Sequence, residues 1–237
     1  MSSSPLNDAT GNRLLDHLPR DESKRLVLAG EYVTLQQGDV IYRQDAPTSA
    51  VYFPRRGCCC DVVMLDEGRR IETTTIGNEG MVGVSLALGL AWSPLTAVAV
   101  VRGESLRIPT AAFLEIMKEG KELEKLIRKY AAYCMRYESQ MVACNAIHSV
   151  EQRACRRLLM AHDRVGNDDF SLTQELLSEM LGVRRQTVAA IAGTLQAADI
   201  IAYRRGVIKI LDRRGLETAS CECYKVAKTA YESIVMQ

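Results

Sequence analysis

Residues 172–201 read LTQELLSEMLGVRRQTVAAIAGTLQAADII. Two helical periods meet here at a glycine. Thr173 offers a hydroxyl to cap the first helix, and Leu176, Leu177 and Met180 recur at the spacing of one buried face. Gly182 falls where the chain must turn sharply, a conformation that is cheap only for glycine, and Val183 plugs the turn. A second helix then opens with Arg184, Arg185, Gln186 and Thr187 at its exposed end. Val188, Ile191 and Leu195 follow on its inner face. This is the layout of a helix-turn-helix.

The polar start of the second helix carries the chemistry. A recognition helix enters the major groove by its N-terminal residues. Arginine pairs bidentately with guanine and glutamine with adenine, while Thr173, Thr187 and the helix N-termini suit phosphate oxygens. Downstream, IAYRRGVIKILDRRG reads as two short strands turning at Gly206, with Arg204 and Arg205 at the tip of a wing. From Gly182 to Arg214 there are seven Lys/Arg against two Asp, a local excess of five in a chain of net charge +1. The expected DNA contacts are therefore Thr173, Arg184, Arg185, Gln186, Thr187, Arg204 and Arg205.

Upstream lies a long helical run. Leu123, Ile127, Tyr130, Cys134, Tyr137, Met141 and Cys144 are separated by alternating steps of four and three, and His148 closes the series. That is a heptad seam, and so narrow a stripe wants a partner helix. The expected partner is the same helix of a second subunit; the alternative is packing within the same chain. SVEQRACRRLLMAHDRVG is an amphipathic helix leading into the helix-turn-helix, and LETASCECYKVAK reads as one closing helix.

The first half punctuates differently. GNRLLDHLPRDESKRLVLAG reads as a short polar helix. Brief β-branched segments follow, separated by Gly, Pro and Asp, with a hairpin expected at Glu67-Gly68. The pattern suggests a sandwich or barrel up to Pro109, which opens a helix. The 237 residues, 47% hydrophobic and 25% charged, suit one large or two modest folded domains. No apolar run approaches the ~20 residues of a membrane span, and residues 1–11 read as a disordered tail. Eight cysteines without a secretory pattern point to a reducing cytoplasm.

In combination, GDVIYRQDAPTSAVYFPRRG, IGNEGMVG, HSVEQRACRRLLMAHDR and LTQELLSEMLGVRRQTV resemble the cyclic-AMP receptor protein/FNR (Crp/Fnr) family of bacterial transcription regulators along nearly the whole chain. The resemblance implies an α+β fold: a cyclic-nucleotide-binding-type β-roll (jelly roll) over 12–118, a dimerisation helix over 119–148 and a winged helix-turn-helix over 149–237. It implies a homodimer on a palindromic site of double-stranded DNA, with RNA polymerase as a further partner. Relatives that bind cyclic AMP hold the ribose with a Gly-Glu pair and the phosphate with an Arg-Ser pair. These positions fall on Gly83-Val84 and near Ser93-Pro94, so the carboxylate and the phosphate's arginine are both missing. The base-reading arginine of the family matches Arg185, a position often occupied by Glu matches Gln186, and a later arginine of some members falls on Ala190. Cyclic AMP is therefore not expected as effector, no cofactor is implied, and the effector is unspecified. A cyclic-nucleotide signalling module acting through protein partners is the alternative. It would want the phosphate's arginine and no basic recognition helix.

The remaining chemistry is sulfur. Cys58, Cys59 and Cys60 are consecutive. On a strand the outer two share one face and Cys59 the other, so they cannot converge on one ion and read as apolar filler. FNR-type clusters use spaced cysteines near the N-terminus, and no cysteine precedes Cys58. Cys134 on the seam could meet its twin in a disulfide or simply pack. Cys221 and Cys223, taken as i and i+2 on a helix, point apart and are not expected to chelate. His17, His148 and His162 read as structural rather than as ligands. No metal site, nucleophile–base–orienter set, P-loop or dinucleotide fingerprint is recognised, so the chain is not expected to be an enzyme.

Overall fold

The computed structural model describes residues 10–66 and 70–237. The predicted polar helix is two elements, a 3-10 turn at Leu15–His17 and helix α1 at Arg20–Ala29. They are split because Pro19 sits in an extended conformation at the N-cap of α1. Thr10 and Gly11, assigned from sequence to a tail, belong to the fold: Thr10 is buried and its hydroxyl donates to Asp16 at 2.8 Å.

Among the described residues seven strands follow: β1 (Glu31–Leu35), β2 (Val40–Tyr42), β3 (Ala50–Pro54), β4 (Cys58–Met64), β5 (Arg70–Ile76), β6 (Thr96–Val101) and β7 (Gly103–Pro109). They form two antiparallel sheets, ordered β1-β7-β3 and β2-β6-β4-β5. Strands β4 and β5 pair as the hairpin reading requires; its tip, Glu67-Gly68, lies outside the described residues. A short helix α2 (Val84–Ala87) connects β5 to β6. The β4 sulfurs alternate as expected: Cys58 and Cys60 join the main core, and Cys59 faces a small cluster with Tyr42, Ile76, Val82 and Ala97. All three are buried, and burial pushes the Cys58 thiol up to about 12, which suits inert filler.

Helix α3 (Thr110–Glu119) opens after Pro109, and α4 (Lys121–Ile147) follows a break at Gly120. The predicted seam on α4 is in place, but its partner is the same chain. Leu123, Ile127, Tyr130, Cys134, Tyr137, Met141 and Cys144 are all buried within one protomer. They meet the β-domain, α5 (Val150–Val165) and the last helix, α9 (Cys223–Ile234). The Tyr130 hydroxyl donates to the Met81 carbonyl, Tyr137 reaches Met160 of α5, and Tyr133 stands edge-on to Tyr231 at 5.2 Å. The expected dimer seam is thus corrected to an internal one, and Cys134 is withdrawn from any face where it could meet its twin. The exposed face of α4 carries a second stripe in steps of three and four: Ala132, Met135, Ser139, Val142 and Ala146. Met135 is 71% and Val142 72% exposed.

Helix α5 begins with a full capping box between Ser149 and Gln152. After it come β8 (Asp169–Ser171), α6 (Gln174–Leu181), α7 (Arg185–Ala197), β9 (Ile201–Arg204), β10 (Val207–Ile210) and α8 (Arg213–Ala219), with the three strands in the order β8-β10-β9. The predicted closing helix is really α8 and α9, interrupted at Ser220–Glu222.

Two buried ion pairs dock α5 on the β-domain. Arg157 meets Glu72 of β5, and Arg164 holds Glu79 through Nε at 3.0 Å and Nη2 at 2.5 Å. Breaking such a pair strands a buried charge. Glu79→Ala is expected to lower stability by about 3–5 kcal/mol in urea unfolding. Replacing both partners together, Glu79→Leu with Arg164→Met, is expected to recover most of that loss.

Candidate nucleic-acid interface

The local geometry of the helix-turn-helix follows the residues. The Thr173 hydroxyl accepts from the Leu176 N–H at 3.2 Å and so caps α6. Gly182 ends α6 at φ +67°, the left-handed region where a side chain would be strained. A Cβ there would also lie 2.8 Å from Ile71 Cδ1 of β5. The Val183 N–H donates to the Ser178 carbonyl at 3.0 Å, closing the turn. Leu177, Met180, Val188 and Leu195 are buried between the helices, while Leu176, Val183 and Ile191 are half-buried at the rim.

The recognition helix starts at Arg185, with Arg184 as its N-cap residue. Arg184, Arg185, Gln186 and Thr187 are all exposed. No side chain caps this helix, so its first N–H groups point outward with the positive end of the helix dipole. The wing turns at Arg205 and Gly206, with φ +52° and +79°. Two consecutive residues in the left-handed region are what a two-residue hairpin turn of the primed type needs.

The structure brings most of the predicted residues together. Thr173, Arg185, Arg205 and Gly206 line one groove with Gln174, Glu175 and Tyr203. Arg184, Arg185 and Gln186 line a second groove on the other flank of the helix start, bordered by Arg70 and Ile71 of β5. Arg204 is exposed on the strand leading into the wing tip and lines neither of these two grooves. Sequence reasoning passed over Gln174 and Tyr203. The Tyr203 hydroxyl donates to the Leu172 carbonyl at 2.8 Å, tying the wing to the start of α6; burial raises its pKa and nearby Arg185 opposes that. Gln174 was readable as the residue after an N-cap. Part of the counted positive charge faces elsewhere: Arg213 is held by Asp163 at 2.7 Å and Glu217 at 2.9 Å.

The positions compared with a cyclic-AMP site are also defined. Gly83 begins α2 at φ +96°, and Val84 is its first residue. The Ser93 hydroxyl donates to the Leu95 carbonyl at 2.6 Å, and Pro94 beside it is exposed.

Two family models match the chain: a cyclic nucleotide-binding domain over residues 32–119 and a Crp-like helix-turn-helix domain over 152–219. No curated protein matches it in sequence. Among solved structures, it is similar to FixK2 from Bradyrhizobium japonicum, at 15% identity and a TM-score of 0.69, covering 81% of this chain and 98% of that one. A CRP-family transcriptional regulator from Thermus thermophilus matches at 19% identity and a TM-score of 0.65, over 79% and 96% of the two chains. The c-di-GMP responsive global regulator CLP of Xanthomonas campestris matches at 13% and 0.64, over 81% and 99%. These solved structures share the fold. With both domain models matched in this order on either side of a long helix, the chain belongs to the Crp/Fnr family of transcriptional regulators.

Proposed function

We propose that this regulator binds double-stranded DNA as a homodimer, reading a palindromic site through the first turn of α7, in the cytoplasm and with RNA polymerase as a further partner. One observation carries the reading: Arg184, Arg185, Gln186 and Thr187 stand exposed at an uncapped helix N-terminus beside a wing that ends in Arg204 and Arg205. Arg185 lies on both grooves that flank that helix start, which favours it as the base reader; Thr173, Arg204 and Arg205 are assigned to phosphates. Selection from random duplexes is expected to enrich an inverted repeat. Against the selected duplex, Arg185→Ala is expected to weaken binding by ~1–3 kcal/mol in fluorescence anisotropy, the worth of one bidentate base contact. Unchanged affinity would remove Arg185 from the base-reading role.

The exposed stripe of α4, Ala132, Met135, Ser139, Val142 and Ala146, is the face proposed for the homodimer. Its 3-4 spacing suits a two-helix seam, and its small residues allow close approach. Val142→Glu places like charges opposite each other on such a seam. It is expected to shift the protein toward monomer in sedimentation velocity, whereas Cys134→Ser, on the internal seam, leaves the dimer intact.

The sensor domain is not proposed to bind cyclic AMP. Val84 and Pro94 offer neither a carboxylate for the ribose nor a cation for the phosphate, and the Ser93 hydroxyl is engaged within its own loop. A buried phosphate without a cationic partner is costly. Isothermal titration with cyclic AMP is expected to show no dissociation constant at or below the micromolar range.

A further inference from the structure

Helix α4 ends at Ile147, and the chain reaches α5 through His148 and Ser149 in extended conformation. The break between α8 and α9 packs against this corner. It brings Cys221 and Cys223 to Cys144 and His148, across 73 or more residues of sequence. The four potential ligand atoms lie within 4.8 Å of one another. We propose that Cys144, His148, Cys221 and Cys223 form a site for one thiophilic divalent cation of the zinc class, held by three thiolates and one imidazole.

The distances suit one ion. Metal–sulfur bonds of roughly 2.3 Å and metal–nitrogen bonds of roughly 2.0–2.1 Å in a tetrahedron put ligand atoms roughly 3.6–3.8 Å apart. Cys144 Sγ is 3.6 Å from Cys221 Sγ, and Cys223 Sγ is 3.6 Å from His148 Nδ1. A cluster of several irons would hold its thiolates further apart.

The surroundings suit the same reading. His148 turns Nδ1 toward the sulfurs and Nε2 toward the Glu222 carboxylate at 3.1 Å. That is the carboxylate–histidine–metal relay that fixes tautomer and ring orientation at such centres. The Gln140 amide donates to Cys223 Sγ at 3.1 Å. Three thiolates and a neutral imidazole around a divalent ion leave one negative charge. Arg156 lies beside Cys144 and is fully buried; its Nη1 donates to Met160 Sδ at 3.4 Å, and among the described residues Nε and Nη2 have no hydrogen-bond partner. Among the described residues no carboxylate pairs with this buried guanidinium, whose charge is costly alone; the thiolate site would supply its counter-charge.

Reading Cys221 and Cys223 as i and i+2 on one helix missed this site. Cys221 precedes α9 and Cys223 begins it, so both sulfurs reach the same corner. A bound ion would clamp the end of α4 to the last helical pair, beside the joint between the long helix and the DNA-binding domain.

The test uses the full chain, chelator-treated, reduced and under anaerobic conditions, titrated with Co2+ and then Zn2+ without DNA, so its outcome is independent of the DNA reading. Co2+ is expected to saturate at one per chain, with intense thiolate-to-cobalt charge-transfer absorption and tetrahedral visible bands that one equivalent of Zn2+ abolishes. Cys221→Ser with Cys223→Ser removes the bands. The exposed Glu222→Gln, which leaves the core intact, weakens the affinity by about 10–100-fold. Zn2+ raises the thermal midpoint of the wild type and not of the double variant. The proposal is overturned if the wild type shows no thiolate–cobalt band or if the double variant keeps the wild-type spectrum.

Discussion

The arrangement depends on two arginines of α5 buried against carboxylates of the β-domain. Arg157–Glu72 and Arg164–Glu79 are each about a tenth exposed or less on both sides. In so dry a position each charge needs its partner, and the pairs hold α5 to β5 and to the turn that follows it. Other features follow from that contact. Gly77 has no side chain because a Cβ would lie 2.3 Å from Arg164 Cγ, and Gly80 has none because one would meet the Tyr130 hydroxyl at 2.1 Å. Once α5 lies there, Tyr137 and Tyr133 of α4 are sandwiched between domains, and α9 completes the enclosure.

That enclosure explains why the sequence could announce a seam on α4 but not its partner. A 27-residue helix can carry two stripes with the same alternating spacing. The richer one, from Leu123 to Cys144, attracts attention because it is apolar, and it is apolar because its own chain covers it. The exposed stripe holds alanine, serine and only two large apolar side chains, Met135 and Val142. Burial within one protomer and burial between protomers leave the same periodicity, so hydrophobic pattern alone does not rank them.

The helix-turn-helix was legible because its signals are local. The Thr173 cap, the left-handed Gly182, the exposed Arg184–Thr187 run and the Arg205-Gly206 turn each depend on residues within a few positions. The three adjacent cysteines were legible for the same reason, since strand alternation alone assigns Cys59 to one face and its neighbours to the other. Breaks inside helical stretches were less so: Pro19 and Gly120 divide runs whose periodicity continues on both sides. The corner that joins Cys144 and His148 to Cys221 and Cys223 was hidden altogether. Cys144 and His148 are i and i+4, a spacing that shares a helix face. The other half of the group is brought in only by tertiary packing.

The contacts between the two halves also differ in strength by position. Near the joint they are buried charge pairs, each dependent on its partner. At the helix-turn-helix the connection is lighter: Arg70 meets Glu179 at 2.7 Å, with each side chain about a third exposed, and Ile71 lies against the turn at Gly182. An ion pair that open to water contributes little, about 0–1 kcal/mol. A recognition helix reaches base edges only when the flanking phosphate backbones lie on both sides of it. On one side of α7 that space belongs to its own wing, and on the other it is bordered by β5. The helix-turn-helix is thus joined to the β-domain by the more open contact, and α5 by the buried ones.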